Sequence, residues 1–237
     1  MCTPFLKNYK LSELIEPLRY FLFPRRCAAC GKLLSRAETV LCVHCLGHLI
    51  PFTFTQSVWQ KRFEELPEVV TAFLGGFIFE EEGVCRELIH SIKYQGNREG
   101  GLYLGMLLAR LWNLRREDYD CIVPVPLHPH KLLHRRYNQA EIIARGISLE
   151  TSIPLIAHAL RRRHYEQSQA GMHREERLAR MKGAFAIGRD SVPVGSRVLL
   201  LDDVLTTGAT LTAAAKAMAE TKAKQIVLLA ASVDMPE

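Results

Sequence analysis

An α/β domain with a parallel sheet covered on both faces, preceded by a small cysteine-bearing module, is the architecture this sequence predicts. Three observations carry that expectation. Short uninterrupted apolar runs, of which Val198-Leu199-Leu200-Leu201 is the clearest, alternate with segments of helical period. Strands buried on both faces read as continuous apolar runs, and strand–helix alternation sets them side by side in parallel. A composition of 48% apolar and 24% charged residues over 237 positions gives room for one ordinary domain plus a small module. It excludes wholesale disorder, fibrous repeats and large multidomain machines. Finally, four of the 7 cysteines crowd between residues 27 and 45.

The elements follow in order. Leu11, Leu14, Ile15, Leu18, Phe21 and Leu22 keep helical spacing around Pro17, which predicts an amphipathic helix within residues 1–24 that packs on a neighbouring module. Its polar face carries too few Lys and Arg for a membrane-surface helix. Residues 25–50 form the cysteine module. Residues 51–67, bounded by Pro51 and Pro67 with Trp59 and Phe63 between them, read as a linker that docks, and residues 68–237 as the main domain. There, residues 69–79 are rich in β-branched and aromatic side chains and predict a strand. Residues 84–94 are helical through Leu88, Ile89 and Ile92, and residues 100–114 form a second apolar helix. A buried strand at 120–126 ends in proline and is followed by a helix at 138–150. The 198–201 strand, an alanine-rich helix at 210–222 and a strand at 225–233 complete the order.

The net charge of +6 has one source. Residues 131–189 hold 12 Lys/Arg against 5 Asp/Glu, so this segment is +7 and the remainder is −1. A concentrated positive field recruits polyanions, either phosphorylated small molecules or nucleic acid; a solvated helix face is the plainer reading. No stretch approaches the ~18 consecutive apolar residues of a membrane span, and residues 1–10 lack a secretion-signal core. A cytoplasmic protein without membrane insertion is expected.

Cys27, Cys30, Cys42 and Cys45 spell C-x2-C-x11-C-x2-C, while Cys2, Cys85 and Cys121 stand alone. Two such knuckles, the first followed by Gly31-Lys32, offer four thiolates to a tetrahedral Zn2+ and leave no open position, so the ion would be structural. His44 and His48 are spare ligands. The odd cysteine count and the absent secretion signal argue against a disulfide framework. So small a module draws its stability from the metal, and chelation is expected to unfold it while sparing the main domain. His128, His130 and His134 form a second histidine pattern, for which phosphate contact or solvation is a cheaper explanation than metal.

The strongest signal is Val198-Leu-Leu-Leu-Asp-Asp-Val-Leu-Thr-Thr-Gly-Ala-Thr-Leu211. Asp202 and Asp203 emerge at the carboxyl end of a buried strand, where ligands bind in open α/β sheets. Thr206, Thr207, Gly208, Ala209 and Thr210 then supply three hydroxyls and a glycine at the start of a helix, a setting that favours phosphate. Carboxylates beside a phosphate cradle make sense together for a ribose 5-phosphate, whose 2′ and 3′ hydroxyls donate to the acids while the loop holds the phosphate. The segment closely resembles the phosphoribosyl diphosphate (PRPP) motif of type I phosphoribosyltransferases, and it lacks the Gly-Lys-Ser/Thr ending of a Walker loop.

The wider pattern narrows the resemblance. The cysteine quartet is followed by Lys93-Tyr94, Val123-Pro-Val-Pro-Leu-His128 and Arg135-Arg-Tyr-Asn-Gln-Ala140. Then come Gln169, Arg177, Gly183-Ala-Phe185 and the PRPP motif. Over nearly the whole chain this is similar to the ComF family, with Arg180 standing where the family pattern has asparagine. The resemblance implies a zinc-finger-like module joined to a parallel sheet of type I phosphoribosyltransferase fold, with some members acting in natural competence and DNA uptake. It implies that the loop Pro126-Leu127-His128 meets pyrophosphate, with Mg2+ accompanying PRPP. Arg135 and Arg136, whose guanidinium forks match phosphate oxygens, are the candidate catalytic cations, with a solvated helix start as their plainer reading. Asn138 is a candidate N-cap. The basic stretch at 161–182 corresponds either to a loop that closes over PRPP or to a surface for single-stranded DNA.

Two functions remain open at this level. One is transfer of ribose 5-phosphate from PRPP to an unidentified acceptor with release of pyrophosphate. The other is a catalytically silent, PRPP-responsive module that handles single-stranded DNA or a competence helicase. No sequence motif names the acceptor.

Overall fold

A computed structural model describes residues 24–53, 63, 65–163 and 183–235. The helix expected within residues 1–24 lies outside these residues but for Pro24, as does 164–182 of the basic stretch, with Gln169, Arg177 and Arg180. In chain order the elements are α1 (Val43–Gly47), β1 (Val70–Phe79), α2 (Val84–Tyr94), α3 (Arg98–Leu111), β2 (Cys121–Pro124), α4 (Pro129–Arg135) and α5 (Gln139–Thr151). They continue with β3 (Leu160–Arg162), β4 (Phe185–Ile187), β5 (Arg197–Leu205), α6 (Ala209–Ala219) and β6 (Gln225–Asp234).

Four strands form one sheet in the order β1-β6-β5-β2, and every neighbouring pair is parallel. Beyond the outer edge of β2, residues 154–156 run alongside it: Ile122 N–H donates to the Pro154 carbonyl at 2.8 Å and Ile156 N–H to the Ile122 carbonyl at 2.9 Å. Helices α1 and α4 and the small antiparallel pair β3–β4 are absent from the sequence-level expectation. For α4 the signal was present, because Pro129 opens it directly after His128, and proline at a first helical position sacrifices no helical bond.

Alternation along the central strands divides the core into two. Leu199 and Leu201 join Val227, Leu229 and Ala231 against Leu88, Ile89 and Ile92 of α2, Leu104 and Leu108 of α3, and Ile143 and Ile147 of α5. Val198, Leu200, Ile226 and Leu228 face Leu211, Ala214, Ala215 and Met218 of α6, with Phe185. Both faces of the sheet are thus apolar, which explains the continuous runs in the sequence. Helices α3 and α5 cross on backbone: a Cβ at Gly105 would lie 2.1 Å from the Ile143 carbonyl oxygen.

The cysteine module is built into this core. Cys27, Leu34, Val40, Leu41, Cys42, Cys45 and Leu49 belong to the same buried cluster as Phe77, Leu88 and Leu108. As the chain leaves the module it pairs antiparallel with the outer edge of β1: Ile78 N–H donates to the Ile50 carbonyl and Phe52 N–H to the Gly76 carbonyl, both at 2.8 Å. The Phe52 ring covers Gly75, where an added Cβ would approach it to 2.3 Å. Residues 54–62 of the expected linker lie outside the described residues. A shared core and a shared sheet edge revise the expectation that chelation would spare the main domain. Among the described residues, no helix is long and apolar enough to cross a membrane.

Candidate active site and metal centre

Cys27 and Cys30 lie in a tight turn that Gly31 closes, its N–H donating to the Cys27 carbonyl at 2.9 Å and its φ of 73° a left-handed conformation that glycine adopts without a Cβ penalty. Cys42 caps α1 and Cys45 lies within it. The Glu38 carboxylate fastens this second knuckle, accepting from the N–H groups of Ser35 and Val43, each at 2.7 Å. All four Sγ atoms lie within 4.8 Å of one another, and Cys30 Sγ stands 3.8 Å from Cys42 Sγ. Tetrahedral zinc with Zn–S bonds of about 2.3 Å sets its sulfurs about 3.8 Å apart, so this donor set fits Zn2+.

Backbone amides already favour negative sulfur here: Cys42 N–H points to Cys27 Sγ at 3.4 Å and Cys45 N–H to Cys42 Sγ at 3.5 Å. At Cys27, burial opposes ionisation, but hydrogen bonds from the backbone of Cys30, Cys42 and Ala29 together outweigh it and lower the thiol to about 6. Burial, then the neighbouring sulfurs, push Cys45 upward, which leaves a charge burden that a divalent cation relieves. His44 and His48 stack on each other with ring centroids 4.3 Å apart, and the four thiolates complete the cluster without them.

Away from that centre, β5 carries Asp202 and Asp203 to the carboxyl edge of the sheet. The Asp203 N–H donates to Asp202 Oδ1 at 2.9 Å, and the Ser232 hydroxyl, fully buried on β6, donates to the Asp203 carbonyl at 3.0 Å. Burial, then the adjacent Asp203 carboxylate, push Asp202 up to about 8. Asp203 is paired instead: its Oδ2 lies 3.1 Å from Lys93 Nζ, both side chains only 18% exposed. Thr206 and Thr207 form the bend after β5, and Gly208 at φ 80° caps α6 in the left-handed conformation. Gly208 has no side chain with which to cap that helix, so the backbone N–H groups of Gly208, Ala209 and Thr210 open it.

The loop after β2 approaches from the neighbouring strand. Pro126 and Leu127 are half-buried, and His128 caps α4, its Nδ1 accepting from His130 N–H at 3.3 Å. Asn138 stands at the N-cap of α5 but makes no capping bond; its Nδ2 donates to the Val125 carbonyl at 3.0 Å and ties this loop to the helix. Arg135 is held in place, its guanidinium donating to Gln139 Oε1 and Tyr94 Oη, each at 3.1 Å, and resting over the Tyr94 ring. Arg136 makes the left-handed turn at the end of α4, φ 64°, with its side chain exposed.

Three more cations complete the surroundings: Lys93 of the Lys93-Tyr94 pair, Arg162 of the basic stretch, and Lys131, which no motif named. Burial, then the charges of Arg135 and Arg162, hold Lys131 below its ordinary value, with Asp203 opposing and Lys93 adding to the effect. The charges of Arg135, Arg162, Lys93 and Asp203 are thus all felt at Lys131, and within this group Lys93 and Asp203 form an ion pair. Arg162 lies over the Phe185 ring, is lowered by burial and is offset by Asp202. Lys131 and Arg135 were legible as an i, i+4 pair once Pro129 is taken as a helix start. Arg162 is hidden by a run of three arginines. His128 and His130 stack with centroids 5.6 Å apart, and among the described residues only the four cysteines assemble a metal-competent group.

The family model for the phosphoribosyl transferase domain matches residues 139–237. Competence protein F of Haemophilus influenzae is 30% identical over 150 residues, 59% of this chain and 63% of that relative. Competence protein ComFC of Bacillus subtilis is 30% identical over 144 residues, 60% of this chain and 57% of its own length. Over about three fifths of its length this chain is similar to these competence proteins. It spans less than two thirds of the length of either relative. Among solved structures, adenine phosphoribosyltransferase of Leishmania tarentolae is similar at 16% identity, covering 70% of this chain and 79% of that one, with a TM-score of 0.38. The chain carries a phosphoribosyltransferase-like domain behind a four-cysteine centre able to hold a metal such as zinc.

Proposed function

We propose that this protein binds PRPP and transfers its ribose 5-phosphate to an acceptor, releasing pyrophosphate, in DNA handling during natural competence. One observation carries the chemistry. Two adjacent carboxylates stand near the carboxyl end of a central parallel strand, the next turn opens a helix through a left-handed glycine, and Lys93 from another helix pairs with the second acid. Asp202 and Asp203 accept from the 2′ and 3′ hydroxyls of the ribose. Thr206, Thr207 and Thr210, with the backbone of Gly208 and Ala209, hold the 5′-phosphate against the α6 dipole. Pro126, Leu127 and His128 present backbone to the pyrophosphate, and Lys131, Arg135 and Arg162 draw its charge. The competence role rests on the names of the relatives.

In the transfer, the bond from the anomeric carbon to the pyrophosphate oxygen breaks and its electron pair leaves with pyrophosphate. The acceptor's lone pair forms the new bond and the acceptor loses a proton. No side-chain nucleophile is needed; positioning and preorganised charge lower the barrier. The paired carboxylates are hard oxygen donors that suit Mg2+, which when bound supplies neutralisation of phosphate charge.

The test is calorimetric titration of PRPP with Mg2+ into wild type and Asp202→Asn/Asp203→Asn, beside pyrophosphate release with a deproteinised cell extract as acceptor pool. Wild type binds and releases, and the folded double variant does neither. Retained binding in the variant would overturn the site assignment. Binding without release by wild type would favour a PRPP-responsive module.

A further inference from the structure

Lys93 forms an ion pair with the proposed ribose site. It stands in the last turn of α2, outside the strand–turn–helix that supplies the carboxylates, and its Nζ lies 3.1 Å from Asp203 Oδ2. With both side chains only 18% exposed, neither group is well hydrated alone. The proposed ribose hydroxyls need the oxygen that Lys93 holds. A ligand that took Asp203 and offered Lys93 nothing would strand a largely buried ammonium, and an uncompensated buried charge is expensive.

Lys93 also borders the cationic neighbourhood of α4. Its charge acts on Lys131, alongside Arg135 and Arg162, while Asp203 acts with opposite sign. The ammonium thus pairs with one of the carboxylates and is felt by a cation proposed to face pyrophosphate. Released from Asp203, it has a second anion within the same site only when the ligand bears a diphosphate. The single phosphate of ribose 5-phosphate is taken by the loop at α6 and offers Lys93 no replacement for Asp203.

We infer that Lys93 is a specificity-determining residue: it pairs with Asp203 in the free protein and passes to the diphosphate of PRPP, so the site prefers PRPP over ribose 5-phosphate. This rests on the PRPP-binding reading above.

Both ligands, each with Mg2+, are titrated calorimetrically into wild type, Lys93→Met and Lys93→Arg, with circular dichroism to confirm folding. Lys93→Met is expected to weaken PRPP by about tenfold or more, the scale of one charge-assisted hydrogen bond, while ribose 5-phosphate binds as well as before or better. Lys93→Arg keeps the preference. Lys93→Gln is read in the same way should the methionine variant not fold. Equal weakening of both ligands, or an unchanged PRPP affinity, would overturn the inference while leaving the site assignment intact. Failure of wild type to bind PRPP would overturn both.

Discussion

Asp202→Asn should make the free protein more stable while removing its PRPP affinity. In the folded chain, burial and the neighbouring carboxylate raise the Asp202 carboxyl to about 8, against about 3.9 in an unfolded chain. A raised carboxyl contributes stability that is fully present below about pH 4 and is lost as pH rises toward 8. At pH 7 the mismatch spans roughly three pH units, at most about 4 kcal/mol at ~1.4 kcal/mol per unit. Asp202 keeps some contact with water, so a gain of about 1–3 kcal/mol is expected for the asparagine variant, or about 3–10 °C in Tm for a chain of this size. The substituted carboxamide retains the oxygen that accepts from the Asp203 amide, so the local backbone is preserved. Thermal unfolding of both proteins from about pH 5 to 8 is the assay, and the advantage of the variant should widen with rising pH. A variant less stable than wild type, or a difference independent of pH, would refute the claim that this carboxyl is held against its own ionisation.

Two further outcomes follow from the packing. Chelation, or Cys42→Ser, should lower the stability of the whole chain rather than melt the module alone. Trp112 Nε1–H donates to the Gly75 carbonyl at 3.0 Å on β1 and reports this in a Trp59→Phe background; an unchanged Trp112 emission melt under chelator would show the parts to be independent. Gly105→Ala should destabilise by about 1–3 kcal/mol, read from the urea midpoint, because its methyl would meet the Ile143 carbonyl at 2.1 Å and force α3 and α5 apart.

The parallel sheet was legible because its signal is local. Val198–Leu201 is apolar at every position, and such a run needs both faces covered whatever the partners are. The proposed acids and the loop proposed to hold phosphate were readable as one segment for the same reason: Asp202, Asp203 and Thr206 to Thr210 are nearly contiguous, and strand order decides only what stands opposite them. The ion pair was not: Lys93 lies 3.1 Å from Asp203 only because the crossover connections of the sheet bring α2 to the carboxyl end of β5. Nothing in a lysine at the end of an amphipathic helix distinguishes a solvated side chain from the partner of an aspartate far away in sequence. The strands β3 and β4, three residues each, carry too short a period to be read. The cysteine centre lay at the opposite extreme, since the chemistry of four thiolates is stated by their spacing alone.

What the spacing could not state is where that centre attaches. The module adds backbone to the outer edge of β1, an edge that would otherwise expose unpaired N–H and C=O groups. β1 pairs with β6 along nearly its whole length, and Gly76 brings the two backbones so close that an added Cβ would lie 2.2 Å from the Ala231 carbonyl oxygen. The next residue of β6 is Ser232, whose hydroxyl holds the Asp203 carbonyl. Two strands therefore separate the edge capped by the cysteine module from the carboxylate proposed to hold the ribose. Both separations are bridged by backbone contact, which cannot yield without breaking ladder hydrogen bonds. Losing the metal should loosen β1 first, and the site should feel it through Ser232 before α4 or α6 moves. The four-cysteine cluster is thus joined through the sheet to the strand that carries the proposed acids, although it contributes no atom to them.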